Sequence, residues 1–206
     1  MTDYLVGTLA YPFVWAYDTS VLVTALVLAA VPTTLRVVTK GSKSLSKLED
    51  MFEFFEGLPL GKVVVASLIG FTAPYSASIS ASIEYLKGTK VRASIYDRPW
   101  LRNPFSSIHA VALANLGELA TGVAMMSCMQ SLKNIRGIPV ELNMVYKKKA
   151  RGKITCESDV QPALEALQKM DDKIEVKATG NLYNEAKEVV AICTVKWSCS
   201  RKKKRA

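Results

Sequence analysis

Residues 102–130 of the chain read RNPFSSIHAVALANLGELATGVAMMSCMQ, and this stretch decides the fold. From residue 108 to residue 129 it contains no proline, and Glu118 is its only charged residue. A helix at a protein surface carries one apolar stripe, whereas this stretch is apolar or small on nearly every side. Alanine and glycine recur along it and keep it thin. The pattern therefore predicts a long, buried helix that a sheet or a second helix can approach closely.

The residues in front of this helix predict a turn and a helix start. Pro104 fixes its own φ and keeps Asn103 out of the helical region, so Asn103-Pro104 begins a turn. Ser106 or Ser107 is the candidate N-cap, because a short side-chain oxygen can accept a hydrogen bond from an unpaired first-turn N–H.

Three polar residues stand out against this apolar background: Asn103 before the helix, His109 in its first turn, and Glu118 near its middle. His109 is the only histidine of the chain. A buried carboxylate is costly unless it is paired or protonated, and carboxylates with a pKa raised by burial are enriched at functional sites. From the residues alone, two structural alternatives stay open. The histidine caps the helix end, and the glutamate pairs with a basic residue of a neighbouring strand.

The composition fits one domain with a substantial core and an extension. Of the 206 residues 50% are hydrophobic, and the net charge is +9, which favours anionic partners such as phosphorylated ligands, acidic lipid or nucleic acid. The four cysteines form no CxxC pair and have no Cys/His spacing typical of zinc ligands. We therefore expect free thiols in a reducing compartment and no metal site.

Residues 1–40 form an apolar N-terminal segment, which is a candidate membrane anchor. Residues 4–35 carry a single charge, Asp18, and residues 19–35 carry none. This run is slightly short for a spanning helix, and basic residues follow it, as they do on the cytosolic flank of an anchor. The alternative is a helix that packs inside the protein or between two copies. We expect an intracellular protein, which the anchor would hold at a membrane.

The next part of the chain predicts further helices. Residues 41–57 form a linker followed by a short amphipathic helix at 48–56, and a second apolar helix follows at 60–70. Gly70 and Pro74 end this second helix. These helices extend the domain on its N-terminal side.

Strands dominate the rest of the chain. Beyond Pro74 the hydrophobic period changes to two, which indicates strands. Helices and strands that are segregated in sequence predict an α+β fold with a mostly antiparallel sheet. A short helix is expected at 161–169, and Gly180-Asn181 is expected to connect the last two strands. Six strands are expected, at 75–86, 91–96, 138–147, 153–160, 173–179 and 189–198.

Three segments carry a resemblance to a known family: RNPFSSIHAVALANLGELATG at the central helix, VYKKKARGKI after it and GFTAPYSASI before it. The sequence resembles the hot-dog thioesterases of the phenylacetate-pathway and 4-hydroxybenzoyl-CoA type, and within them the DUF4442 group of thioesterase-like proteins. The resemblance implies a hot-dog fold, in which a six-stranded antiparallel sheet wraps around a long central helix. It assigns residues 58–199 to the thioesterase-like domain and residues 200–206 to a basic tail.

The spacing of the polar residues is the specific part of this resemblance. Thioesterases of this type carry an asparagine, a histidine after five intervening residues and an acidic residue after eight more. Asn103, His109 and Glu118 match all three positions. One departure is visible, because the family often has two glycines after the histidine and this chain has Ala110 and Val111, as the DUF4442 group does. The departure predicts a tighter pocket and a different substrate.

The resemblance implies an acyl-CoA thioesterase, which hydrolyses a thioester to the free acid and CoA. Glu118 would activate water as a general base; the less favoured alternative is a nucleophile that forms an anhydride. Asn103 would position the water or the carbonyl, and His109 would orient the loop or polarise the thioester. Unpaired amides at the helix start, around Ala110 and Val111, would stabilise the developing oxyanion.

Other residues would support this chemistry. Asn115 and Thr121 lie three residues on either side of Glu118, on its helix face, and are expected to hold its carboxylate. Four cations are candidates for binding the CoA phosphates, although a solvated basic hairpin explains them equally well: Lys147, Lys148, Lys149 and Arg151.

His109 and Glu118 are nine residues apart, which places them on opposite faces of one helix and ~13 Å apart along its axis. One acyl carbonyl cannot contact both side chains within one chain. We therefore expect a site shared between subunits of a homodimer or a dimer of dimers, as the resemblance also implies. No cofactor is expected, because CoA enters as part of the substrate.

Three alternatives remain from the sequence. The first is a non-catalytic acyl-CoA- or lipid-binding protein on the same fold. The second is a hot-dog dehydratase or hydratase, which is disfavoured because the usual hydratase motif is absent around the only histidine. The third is nucleic-acid binding through the basic tail RKKKR at 201–205, which is disfavoured because no aromatic residues interleave with the basic ones.

Overall fold

The computed structural model describes residues 47–58, 61–132 and 134–201. The apolar segment at 1–40 and the last five residues of the basic tail lie outside the described residues. The anchor interpretation of the N-terminal segment therefore stays a prediction.

The described chain forms a single six-stranded sheet with helices on one side. The helices are α1 (Leu48–Glu56), α2 (Gly61–Thr72), α3 (Pro74–Ala77), α4 (Ala110–Leu132) and α5 (Gln161–Gln168), and a 3₁₀ turn spans Pro99–Leu101. The strands are β1 (Ser82–Lys87), β2 (Lys90–Tyr96), β3 (Ile135–Tyr146), β4 (Lys153–Asp159), β5 (Lys173–Tyr183) and β6 (Val189–Arg201).

All neighbouring strands pair antiparallel, in the order β1-β2-β4-β5-β6-β3, so β1 and β3 form the two edges of the sheet. The α+β class, the six strands and the hot-dog arrangement around one long helix confirm the prediction from the sequence. Alternate residues of each strand face the helix, and on β6 these include Cys193, Val195 and Trp197, all buried.

The central helix α4 contacts all strands from β2 to β6. Fourteen of its 23 residues are buried, so the helix is wrapped on most sides, as its composition predicts. Among the described helices it is also the one that is long and apolar enough to cross a membrane. Since 78% of its most apolar window is buried inside the protein, we interpret it as a core helix.

Two glycines allow α4 to lie close to the sheet. A Cβ on Gly117 of α4 would lie 2.4 Å from the Cβ of Cys193 on β6, and a Cβ on Gly180 of β5 would lie 2.7 Å from the Sγ of Cys156 on β4. Gly180 is therefore a packing residue within a strand, and the predicted connection at Gly180-Asn181 is wrong. The chain turns instead at residues 184–188, where the Asn184 N–H donates to the Glu188 carbonyl at 3.0 Å.

Two other boundaries differ from the prediction. Residues 75–77 of the strand expected at 75–86 belong to the short helix α3, because Pro74 fits the first helical turn, and β1 begins only at Ser82. Arg201, which the sequence assigns to the basic tail, belongs to β6, and its guanidinium donates to the carbonyls of Met170 and Asp171.

The amphipathic helix α1 is confirmed at its predicted residues and packs onto the domain. Phe52 on its apolar face is buried in the same core as α4. The Leu48 N–H donates to Oε1 of Gln130 at the end of α4, and Oε1 of Glu49 accepts a hydrogen bond from the Gly88 N–H between β1 and β2. Helix α1 is thus part of the folded domain.

Replacing Gly117 by alanine should destabilise the protein, because its Cβ would overlap Cys193; overpacking of this kind costs ~1–3 kcal/mol. Gly122 is the matched control on the same helix, since a Cβ there meets its nearest atom at 3.5 Å, and alanine is favoured over glycine in helices by about 1 kcal/mol. Chemical denaturation should give a lower free energy of unfolding for Gly117→Ala and an equal or higher one for Gly122→Ala. Wild-type stability of Gly117→Ala would contradict the close approach of α4 to β6.

Candidate functional site

The turn before α4 is closed by backbone and side-chain hydrogen bonds. Arg102 and Ile108 form an isolated antiparallel bridge, and the Asn103 N–H donates to the Ser107 carbonyl at 2.8 Å. Oδ1 of Asn103 accepts from the N–H groups of Phe105 and Ser107 at 3.0 and 3.3 Å, and from the Ser107 hydroxyl at 3.2 Å. The side-chain oxygen of Asn103 therefore shapes the turn, which leaves only its Nδ2 for contact with a ligand.

His109 is the N-cap of α4, and the predicted N-cap at Ser106 or Ser107 is wrong. Nδ1 of His109 accepts a hydrogen bond from the Val111 N–H at 3.1 Å, while the Ser107 hydroxyl is used inside the turn. Because Nδ1 is an acceptor, the neutral imidazole carries its proton on Nε2. The ring lies at the surface, where this Nε2–H can donate to a ligand.

The two amides predicted to face an oxyanion have different environments. The Val111 N–H is taken by His109, whereas the Ala110 N–H makes no hydrogen bond to any described residue. The carbonyl of Ala110 accepts the hydroxyl of Tyr146 at 2.9 Å, which ties the helix start to the end of β3. The helix start thus offers one free amide, together with its positive dipole.

Glu118 lies in a cavity of about 310 Å³ on the exposed stripe of α4. Its carboxylate is partly buried, and it makes no ion pair or hydrogen bond with any described residue. Burial raises the pKa of the Glu118 carboxyl above its usual value. Among the described residues, therefore, no basic side chain of a neighbouring strand pairs with Glu118. The other residues of the cavity wall are Tyr75, Val111, Ala114, Asn115 and Leu142.

Asn115 and Thr121 do not hold the Glu118 carboxylate. Nδ2 of Asn115 donates to the Tyr75 carbonyl at 3.1 Å and so attaches α3 to α4. The hydroxyl of Thr121 donates back along the helix, to the carbonyls of Gly117 and Glu118 at 2.8 and 3.1 Å. Asn115 nevertheless lines the Glu118 cavity, whereas Thr121 is fully buried against the sheet.

A second cavity, of about 350 Å³, lies at the start of α4. Three of the four predicted phosphate-binding cations line it, and Lys148 among them is paired with Glu188 at 2.6 Å. The fourth, Arg151, braces the turn, since its Nε donates to the Ser106 carbonyl at 2.8 Å. The residues of the wall that bear on function are Asn103, Phe105, Ala110, Tyr146, Lys147, Lys148 and Lys149.

The structure thus brings the predicted residues together in two groups. Asn103, Ala110 and the three lysines surround the cavity at the helix start, while Glu118 lines the other cavity. Glu118 lies nine residues after His109, the N-cap of α4, and helix geometry over this span gives ~13 Å along the axis and opposite faces. The two groups of residues therefore lie at different positions along α4.

The wall residues that the sequence did not predict include Tyr75, Phe105, Leu142 and Tyr146. Tyr75 lies in the segment GFTAPYSASI, which carries part of the family resemblance, but nothing in its local pattern connects it with Glu118. Leu142 and Tyr146 lie on the face of β3 that is turned toward α4. Their positions follow only from the register of β3 with β6.

The edge strand β3 leaves an unusual amount of apolar surface in water. Its backbone is unpaired on one side, and its exposed large apolar residues are Ile138, Val140, Leu142, Val145 and Tyr146. Exposed apolar edges of this kind are sites of strand pairing with another chain. Because Leu142 also lines the Glu118 cavity, this edge adjoins the candidate site.

The cysteines lie in the core. All four are free and buried, and burial raises the pKa of the Cys128 and Cys193 thiols to about 11. Among the described residues no group of three His, Cys, Asp or Glu side chains could hold a metal ion.

Comparison with known proteins identifies a family and a set of similar folds. Residues 61–199, more than half of the chain, match the model of a domain of unknown function, DUF4442. A Pseudomonas aeruginosa protein described as a probable thioesterase shares 22% identity at a TM-score of 0.59, over 66% of this chain and 93% of that one. A variant of a thioesterase enzyme from Staphylococcus aureus shares 16% identity at a TM-score of 0.51, over 62% of this chain and 98% of that one. The comparison with curated proteins finds no match.

The raised pKa of Glu118 predicts a pH-dependent stability. Because the folded state holds the carboxyl proton more tightly than the unfolded state, the ionised form costs stability, and this cost grows as the pH rises from ~4.3 through the raised pKa. Glu118→Gln should therefore unfold at higher denaturant than wild type at neutral pH, and the difference should disappear near pH ~4. The control is Glu165→Gln at an exposed position of α5. Lower stability of Glu118→Gln at neutral pH would mean that the fold stabilises the carboxylate.

Proposed function

Because the chain belongs to the DUF4442 family and folds as a hot-dog domain, we propose that it is an acyl-CoA thioesterase, which hydrolyses an acyl-CoA to the free acid and CoA. The observation that carries this proposal is Glu118. It is the one acidic side chain of α4, it lies in a cavity with mostly apolar walls, and it lacks a charged partner among the described residues. A carboxyl of raised pKa in such a place suits a general base near neutral pH.

In the proposed reaction, Glu118 takes a proton from water while the water oxygen bonds to the thioester carbonyl carbon. The tetrahedral intermediate then expels the CoA sulfur as the C–S bond breaks. Protonated Glu118 returns its proton to that sulfur, so the products are the free acid and CoA. The proposed reaction needs no cofactor, since CoA is carried by the substrate.

The start of α4 is the proposed oxyanion site. The free Ala110 N–H and the Nε2–H of His109 are two donors at the positive end of the helix dipole, where negative charge on the carbonyl oxygen is stabilised. Asn103 contributes through its Nδ2 and through the shape of the turn.

The cavity at the helix start is the proposed binding site for the CoA phosphates. Lys147 and Lys149 line it and have no ion pair among the described residues, whereas Lys148 would have to exchange its contact with Glu188. Arg151 supports the site by bracing the turn at Ser106. Ammonium groups in this position attract phosphate as point charges.

The active site is proposed to lie between two subunits of a homodimer, or of a dimer of dimers. Glu118 and the helix start of its own chain are too far apart to act on one carbonyl group. The apolar edge strand β3 adjoins the Glu118 cavity, and pairing it with β3 of a second copy would bury this edge. A two-fold axis there would bring Glu118 of one subunit toward the helix start of the other.

A non-catalytic acyl-CoA- or lipid-binding protein is the second candidate, and one observation favours it. The two residues after His109 carry side chains, and the Val111 N–H is already used by the imidazole. A site with fewer free amides at the carbonyl stabilises an oxyanion less. Such a protein would bind acyl-CoA without hydrolysing it.

Replacing Glu118 by glutamine keeps the shape of the side chain and removes the base. The kcat for the best acyl-CoA in a chain-length panel should fall by ~10²–10⁴-fold, the usual contribution of a general base. Glu165→Gln is the matched control and should retain wild-type turnover. Unchanged turnover of Glu118→Gln would remove Glu118 from the reaction, and the absence of hydrolysis by wild type together with saturable acyl-CoA binding would favour the non-catalytic protein.

Mixing two inactive variants tests the shared site. Asn103→Ala/His109→Ala chains and Glu118→Gln chains should each be nearly inactive, whereas co-expressed heterodimers should recover activity because one of their two sites keeps all its groups. The heterodimers are isolated by two different affinity tags, and circular dichroism checks that each variant folds. Proven heterodimers without recovered activity would show that each site is built within one chain.

A further inference from the structure

Two large aromatic side chains are exposed on the loops at the start of α4. Phe105 is 72% exposed and lies at the tip of the turn that the Asn103 side chain holds closed. Trp100 is 49% exposed, in the 3₁₀ turn five residues earlier. Exposed apolar surface that is rimmed by polar residues marks interaction sites.

Basic side chains surround these aromatics. The Arg98 guanidinium lies over the Trp100 ring at 5.4 Å. Phe105 shares a cavity wall with Lys147 and Lys149 on the neighbouring loop. The contact of Arg151 with the Ser106 carbonyl joins the two loops directly.

The charge of this surface is not balanced locally. Two of its acidic neighbours are already paired, Asp97 with Arg102 at 2.8 Å and Glu188 with Lys148 at 2.6 Å, and a third, Glu185, lies beside Gly152. Four cations of the two loops form no ion pair with a described residue: Arg98, Lys147, Lys149 and Arg151. The surface is therefore positive, with two exposed aromatic rings among the charges.

We propose that this surface, formed by residues 98–105 and 147–151 and named here the docking face, binds an anionic lipid bilayer. Phe105 and Trp100 enter the head-group region, where aromatic rings are favoured. The lysine and arginine side chains remain at the surface and attract the negative charges of the lipid.

A bilayer fits these observations better than a nucleic acid does. Stacking on bases requires aromatic rings along a basic groove that follows the backbone, whereas Phe105 occupies the tip of a closed turn. The chain also carries an apolar segment with a single charge at residues 4–35, a composition typical of membrane association. The docking face shares Phe105, Lys147 and Lys149 with the wall of the cavity at the helix start, so a bound bilayer would lie over the mouth of the proposed CoA site. The position of the bilayer relative to the CoA site rests on the proposed function, whereas the binding of the bilayer to the docking face does not.

A fluorophore at the docking face tests the proposal. Since all four native cysteines are buried, an environment-sensitive dye can be attached selectively to full-length Phe105→Cys or Trp100→Cys. The control is Asp171→Cys, exposed at the opposite end of the sheet before β5. Vesicles of phosphatidylcholine with phosphatidylserine should shift the emission of the dye at 105 and 100 to the blue and leave the dye at 171 unchanged. The shift should weaken at high salt.

Charge variants give the size of the effect. Lys147→Gln/Lys149→Gln should raise the lipid concentration for half-maximal shift at position 105 by ~25-fold, because each cation near an anionic surface contributes about 1 kcal/mol, or ~5-fold. The matched control is Lys169→Gln/Lys173→Gln, two exposed lysines at the opposite end, which should leave that concentration unchanged.

Three results would overturn the proposal. The dyes at 105 and 100 show no shift with anionic vesicles, the dye at 171 shifts as much as they do, or the dyes respond to an oligonucleotide and not to vesicles. The second result would mean that another segment tethers the protein, and the third that the docking face binds nucleic acid. Because no readout depends on turnover, a failure of the docking face and a failure of the thioesterase proposal can be told apart.

Discussion

The close packing of α4 against the sheet constrains the rest of the structure. At Gly117 the helix backbone lies so near Cys193 that no Cβ fits between them, and a Cβ on Gly180 of β5 would lie 3.3 Å from Cγ2 of Thr121 on the same helix. A helix enclosed in this way can carry a charge only on its one open stripe, since an unpaired buried carboxylate is costly. Glu118 occupies that stripe, beside the edge strand β3. The packing of the core thus determines where the carboxylate lies and which edge of the sheet it faces.

The same constraint separates the two halves of the proposed chemistry. The N-terminus of α4 supplies the free Ala110 amide and a positive dipole, while the backbone of Glu118 is ~12 Å further along the helix. This spacing is set by the helix, because both residues belong to α4. In the proposed reaction a second copy of the chain would supply the missing half, and the apolar residues of β3 give a physical reason for it to pair there.

The sequence predicted what depends on periodicity and missed what depends on distant contacts. The long apolar stretch predicted α4, and alternation predicted six strands, because burial dictates both patterns. A glycine signals a turn and a close packing contact equally well, so Gly180 was misplaced. The N-cap was misassigned because the bridge between Arg102 and Ile108 carries the chain past both serines to His109. The Tyr75 carbonyl that Asn115 contacts lies on α3, and Leu142 of the Glu118 cavity lies on β3, which no local pattern brings together.

The residues after the cap, Ala110 and Val111, have a definite physical consequence. With side chains at both positions and the Val111 N–H bound to His109, the helix start keeps one open amide. An oxyanion-hole donor of this kind is worth about 10²–10³ in rate, so the loss of one has to be offset by another donor. In the proposed reaction the cap itself would supply that donor, because accepting at Nδ1 places the proton of the neutral imidazole on Nε2. His109 can therefore stabilise the helix start and donate to the carbonyl at the same time. In the proposed dimer, a catalytic site requires that the Nε2–H of His109 and the Glu118 carboxylate of the second subunit contact the same thioester. A site that only binds acyl-CoA does not require this.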